Sequence, residues 1–222
     1  MKSKPPSGQI VQNYLGLAHG DYLAARNLLR NGFLEHGCMI AATAVEKYLK
    51  AVVGVAGISL DTHLHGTLYK LVLKYQPELH AALDFDFIKF LEKAFRLRYA
   101  AVSAPGLAIV INQYRTLMCL DNTIAHIDAG FTFEQQQKLM KTPYGHSLTM
   151  GASQLLDDNV AIKPTELSAF LSQSNKVVEL KIEDNFYVLR AEYETDGVGL
   201  LGSMTKIPEL STKKSQFQLT RG

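Results

Sequence analysis

Apolar positions recur with helical spacing through about the first 130 residues, and one stretch sets the pattern. Ala41, Ala44, Val45, Tyr48, Leu49 and Val52 fall at i, i+3, i+4, i+7, i+8 and i+11, one stripe on a helix. The stretch from Ala41 to Ala51 has no Gly or Pro and is rich in good helix formers. Small residues in its stripe let a neighbouring helix approach closely. Thr43, Glu46, Lys47 and Lys50 gather on another side. The spacing therefore predicts a helix over about 34–53 that turns Ala44 and Tyr48 inward and Lys47 and Lys50 outward.

The flanking pattern predicts further helices. Val11, Tyr14, Leu15, Ala18, Tyr22, Ala25, Leu28 and Leu29 form the stripe of a helix over about 10–30, ended by Asn31-Gly32. Gly54 and Gly57 close the second helix, and 59–66 is a loop holding His63 and His65. A short helix over 67–75 stops near Pro77, and Asp84 or Asp86 caps another through Phe87, Phe90, Leu91, Ala94 and Phe95. Ser103-Ala104-Pro105 reads as a fresh start for a long helix reaching about His126, broken by Gly130. Thr132 is placed to cap a short helix over 133–140.

After Lys141 the texture changes. Thr142-Pro143-Tyr144-Gly145 reads as a boundary loop, and a short helix follows Pro164. Val178, Leu180 and Ile182 then alternate with Glu179, Lys181 and Glu183, and a second strand-like run covers 186–193 beyond Asp184-Asn185. Residues 198–204 and 216–220 are further strand candidates. An isolated hairpin is marginal, so this part must gain strands, lean on the helices or pair with another chain. The expected organisation is a leader over 1–9, a helical bundle over 10–141 and a small α+β annex with a β-hairpin over 142–222.

Composition narrows the function. The 222 residues carry 47% hydrophobic and 20% charged side chains, ordinary for a globular protein. The formal net charge of +2 argues against broad non-specific nucleic-acid binding and leaves room for a local basic site. Cys38 and Cys119 sit in apolar helical patterns and lack metal-ligand spacing, which suits reduced core thiols. No signal peptide or membrane span is expected, and the default compartment is the cytoplasm.

Four pieces, taken in order, carry a family resemblance. They are Asp21-Tyr22-Leu23-Ala24-Ala25-Arg26-Asn27-Leu28-Leu29 followed by Gly32, then Ala44-Val45-Glu46-Lys47-Tyr48-Leu49-Lys50-Ala51, the Thr62-His63-Leu64-His65 loop, and Arg96-Leu97-Arg98-Tyr99. Over about residues 10–130 the chain resembles the HEPN family of nucleotide-associated helical bundles. The resemblance implies a mainly α fold, a HEPN-like antiparallel bundle of four or five helices, commonly dimeric. It implies binding of nucleotide, RNA or a protein partner such as a small nucleotidyltransferase, or metal-free RNA cleavage. The cutting members carry an Arg, a polar residue, a few more residues and then His at the head of a late helix. Neither Arg96 nor Arg98 is followed by His at that distance.

The candidate binding residues are accordingly Lys47, Lys50, Arg96, Arg98 and Tyr99. The lysines suit phosphate as point charges, though Glu46 and Lys50 also fit an i, i+4 pair on a solvated face. The arginines suit either phosphate or the dipole at a helix end, and Tyr99 suits a stacked base or a core position. The alternative is a toxin-like, metal-independent ribonuclease. For it, Arg30 and His36 have the Arg-polar-then-His spacing, and His126 is a possible partner for Arg96 or Arg98. Such chemistry needs His as a proton shuttle and Arg on the developing phosphorane. A dimerisation element is a third possibility. Asp61, His63 and His65 come from one loop and make no convincing metal set, so neither metal nor cofactor is expected. Gly197-Val198-Gly199-Leu200-Leu201-Gly202 has dinucleotide-fingerprint spacing but no helix pattern after it.

Overall fold

The computed structural model describes residues 7–61, 63–99, 106–135, 138–183, 188–196 and 218–220. The two expected long helices, α1 (Ser7–Arg30) and α2 (Leu34–Gly54), form an antiparallel pair at the centre of the bundle. Val11, Leu15, Ala18, Tyr22, Ala25 and Leu29 of α1 are buried, as the periodicity requires. The tight turn between the helices depends on Gly32, whose φ of +78° suits glycine. Its amide donates to the Leu29 carbonyl at 3.1 Å, and that of Phe33 to Leu28 at 2.9 Å, which closes the end of α1. At Gly37 a Cβ would stand 2.7 Å from the Leu29 Cγ, so glycine permits this crossing.

From Ala41 to Gly54 every residue of α2 except Thr43 and Lys47 is buried. The outward placement of Lys50 is therefore corrected. It is 9% exposed, and its Nζ donates to Glu46 Oε1 at 2.8 Å. Glu46 Oε2 in turn accepts the Leu64 amide at 3.0 Å, fastening the 59–66 loop to α2. Neighbours cover both flanks of α2, so a charge on its polar side survives only as a paired one. Lys47 is half-buried and pairs with Asp21 of α1 at 2.5 Å.

α3 (Gly66–Tyr75) begins where expected, with His65 accepting the Thr67 amide. Pro77 ends that run but also opens α4 (Pro77–Ala82), since proline at the first turn sacrifices no helix bond. Asp84 caps α5 (Phe85–Phe95), and a 3-10 turn follows over Arg96–Tyr99.

The long helix expected from 103–105 to 126 is the main correction. Residues 103–105 lie outside the described part, but Ala108–Asn112 is strand β1 and α6 starts only at Gln113, running to Ala129. Ile109 and Ile111 alternate inward, opposite Leu180 and Val178 of a distant strand. Asn112 then caps α6 by accepting the Arg115 amide at 3.0 Å. The helix expected over 133–140 is instead the strand pair β2 (Phe133–Gln135) and β3 (Lys138–Met140). The expected boundary loop is α7 (Pro143–Thr149), with Thr142 as its N-cap, and α8 (Ser153–Leu156) follows.

A 3-10 turn over Pro164–Glu166 and α9 (Leu167–Leu171) lead into the expected hairpin, β4 (Ser174–Ile182) and β5 (Val188–Asp196). It gains a strand on each side. β6 (Gln218–Thr220) flanks β5 and β1 flanks β4, giving an antiparallel sheet ordered β1-β4-β5-β6. The Asp184-Asn185 turn, the candidate strand over 198–204 and most of the leader lie outside the described residues. Among those described, no helix is long and apolar enough to cross a membrane.

A polar layer joins α1, α6 and the segment after α7. Arg26, fully buried, pairs with Asp121 of α6 and donates to the carbonyls of Gln154 (3.0 Å) and Asp157. The Tyr22 hydroxyl donates to Asp121 Oδ1 at 2.8 Å and accepts from Asn159 at 3.2 Å. Nearby, Asp128 accepts the Thr142 hydroxyl at 2.8 Å on one oxygen, while the other is buried with no hydrogen-bond partner among the described residues. Burial pushes the Asp128 carboxyl up to about 6 against the pull of Thr142, and burial lowers His19 to about 4.

Removing Asp121 strands the Arg26 cation in the interior. Asp121→Ala should cost about 3–5 kcal/mol, against less than about 1 kcal/mol for Lys47→Ala, read from urea midpoints. Asp128 behaves oppositely. The folded protein holds its proton up to about pH 6, whereas an unfolded Asp releases it near 3.8, so its contribution becomes unfavourable as pH rises across that window. Asp128→Asn should therefore raise the unfolding free energy from urea titration near about pH 7, by at most about 3 kcal/mol, and the gain should fade towards about pH 4. An equal gain at both pH values would contradict a buried charge at Asp128.

Candidate functional site

A groove of about 690 Å³ opens between the start of α2 and the sheet. One wall is the Asn31-Gly32-Phe33 turn together with Glu35, His36 and Met39 on the first turns of α2. Leu97 and Arg98 of the 3-10 turn form a second wall, and the third is one face of the β4–β5 hairpin. The pleat explains that third wall. Lys176, Leu180 and Ile182 alternate along β4, and the register sets Ile182 opposite Val188 and Leu180 opposite Arg190. One face therefore presents an apolar floor of Leu180, Ile182 and Val188 with Lys176 and Arg190 above it.

Gln113 sets the spacing between helix and sheet. Its side-chain amide donates to the Leu29 and Arg30 carbonyls at 2.8 and 3.1 Å, and its oxygen accepts the Lys176 amide at 3.4 Å. The turn is thus held against β4. The stem of Lys176 lies over Gly32, where a Cβ would meet its Cδ at 3.4 Å and its Nζ at 3.6 Å. Phe33 stands at the N-cap of α2, where no side chain caps the helix, so its first amides keep their partial positive charge.

Two of the groove's cations, Lys176 and Arg190, are held by carboxylates. Arg190 Nε donates to Glu35 Oε1 at 3.0 Å and its Nη2 to Glu192 Oε2 at 2.5 Å, while Lys176 pairs with the other oxygen of Glu192. The hydrogen bond from Lys176, and then Arg190, hold Glu192 below its ordinary carboxylate range. The Arg98 guanidinium lies 3.6 Å above the centre of the Phe95 ring. Arg98, Lys176 and Arg190 together outnumber Glu35 on the lining.

The structure divides the residues expected from sequence. Arg98 and His36 reach the groove. Arg96 is exposed on the same 3-10 turn without lining it, and the side chain of Tyr99 lies outside the described part. Lys47 and Lys50 serve α1–α2 packing and the 59–66 loop instead. Arg30 turns to Asp158 at 3.0 Å and Asp157 at 3.6 Å, so it is not brought together with His36. His126 is exposed near the end of α6, its Nδ1 2.7 Å from the Asn122 carbonyl. His63 lies 3.6 Å from Glu46, and its ring centre is 5.4 Å from that of Phe95. Among the described residues no group of three or more His, Cys, Asp or Glu could hold a metal ion. Both cysteines are free, and burial raises both thiols, that of Cys119 to about 11.

Phe33, Glu35, Met39, Lys176 and Arg190 escape sequence reasoning. The one local signal was Arg190, which falls in the strand-like run over 186–193.

Residues 11–104 match the family model described as HEPN domain, which covers α1 through the 3-10 turn. No curated protein and no solved structure matches the chain.

Proposed function

Residues 11–104 being a HEPN domain, we propose that the chain is a non-catalytic binding module that takes a nucleotide in the groove between α2 and the β4–β5 hairpin. The carrying observation is the convergence of Lys176 and Arg190, from the sheet, over an apolar floor beside the uncapped start of α2. Small-molecule sites are typically concave, largely apolar and fitted with a few converging polar groups, in cavities of roughly 300–1,000 Å³. A base takes the floor of Leu180, Ile182 and Val188 or the mouth. A phosphate takes Lys176 as a point charge and the fork of Arg190, replacing Glu192 as their partner. Arg98 adds positive potential from the opposite wall.

Catalysis is not part of this reading, because Arg30 is committed to Asp157 and Asp158 and neither Arg96 nor Arg98 is followed by His at the cutting members' distance. One observation favours a second reading, a metal-independent ribonuclease: His36 and Arg98 line the same groove. Cleavage of RNA in EDTA that disappears in His36→Ala would select the second reading over the first.

Titration calorimetry of the full chain with AMP tests the main reading. Wild type should bind, and Lys176→Ala combined with Arg190→Ala should weaken binding at least about tenfold, the loss of one charge-assisted hydrogen bond. Saturating AMP should also raise the thermal midpoint by mass action. Binding undiminished in the double variant would place the ligand elsewhere and overturn the proposal.

A further inference from the structure

We infer that Phe33 is the platform on which the nucleotide's base stacks. This assignment rests on the groove being the nucleotide site and goes further by naming what reads the base. Phe33 is 60% exposed, whereas Phe87 and Phe90 are sealed in the core. It lies outside the hydrophobic core and its packed fringe, and it lines the groove. An aromatic side chain left in water at the edge of a cavity gains most when a flat, apolar partner covers it.

The backbone under the ring is fixed before any ligand arrives. The Phe33 amide donates to the Leu28 carbonyl at 2.9 Å, and its own carbonyl accepts the Gly37 amide at 2.8 Å. Gly32, the preceding residue, carries the Lys176 ammonium above it. The left-handed backbone at Gly32 suits glycine, and the turn it makes brings Phe33 and the Lys176 ammonium to adjacent positions at one mouth. An aromatic face beside a cation matches the two ends of a nucleotide, a π-surface and a phosphate. Stacking tolerates any base, because each presents a π-face, so Phe33 supplies affinity for nucleotides as a class and little choice among bases.

The chain has no tryptophan, so Phe33→Trp creates a single fluorescent reporter at the platform. AMP should quench it. Ribose 5-phosphate, which has the phosphate and no base, should bind without quenching. In calorimetry Phe33→Ala should raise the Kd for AMP roughly 5- to 150-fold, from about 1–3 kcal/mol per stacked base, and leave that for ribose 5-phosphate unchanged. Phe33→Tyr should restore AMP binding and Phe33→Leu should not, which separates stacking from simple apolar contact and from loss of folding. The inference is overturned if wild type binds AMP and Phe33→Ala or Phe33→Leu binds it equally well. AMP binding that survives loss of Lys176 and Arg190 would instead overturn the groove as the site, and a wild type that binds neither probe would overturn both.

Discussion

A guanidinium with no access to water must have its donors filled by protein, and Arg26 imposes that requirement on the fold. Its partners come from three places: the Asp121 carboxylate on α6, the Gln154 carbonyl and the Asp157 carbonyl. Tyr22, one turn earlier on α1, shares Asp121 and reaches Asn159. The first helix is therefore tied both to the last long helix and to the segment that leads to the sheet. Alternative packings that slide α6 or release residues 154–159 leave a cation or a carboxylate stranded in the interior. Such a layer adds little net stability over an apolar one, and its effect is to narrow the arrangements available.

The groove depends on the position so defined. Gln113 joins the end of α1 to β4, and Arg190 reaches Glu35 from the sheet to the first turn of α2. The site is thus composite. The HEPN-matched helices supply the turn, the start of α2 and Arg98, while Lys176, Arg190 and the apolar floor come from outside residues 11–104. Two carboxylates pair with Lys176 and Arg190, which keeps the local charge modest, in keeping with the chain's net charge of only +2. The proposed ligand is accordingly a compact anion and not a long polyanion, which would require a wide basic surface.

Small residues recur where helices meet the site. Gly37 lets α2 cross beside Leu29, and Gly32 admits Lys176. At Gly37 a side chain would push α2 off Leu29, and at Gly32 the positive φ excludes most residues. The turn is therefore constrained by its backbone. Phe33, next in the chain, takes its backbone position from that turn and stays 60% exposed.

The amino-acid sequence alone determined the elements whose stabilising pattern is local. The stripes of α1 and α2, the Asn31-Gly32 break, the Asp84 cap and the alternation of β4 were all legible, because periodicity and capping operate over a few residues. Of the candidate site, only Arg98 and His36 were legible, as charged or titratable groups at helix ends. Tertiary structure decided the remainder. Ala108-Ile109-Val110-Ile111 is apolar and β-branched, short enough to pass for the first turn of a helix, and only pairing with β4, some 70 residues away in sequence, makes it a strand. Lys50 follows an i, i+4 pattern that reads as solvated until the 59–66 loop closes over Glu46. Lys176 and Arg190 share no spacing with Phe33, since a β-pleat, a glycine turn and a helix start brought them to one groove. Contacts of that kind are energies between distant segments, and no local pattern encodes them.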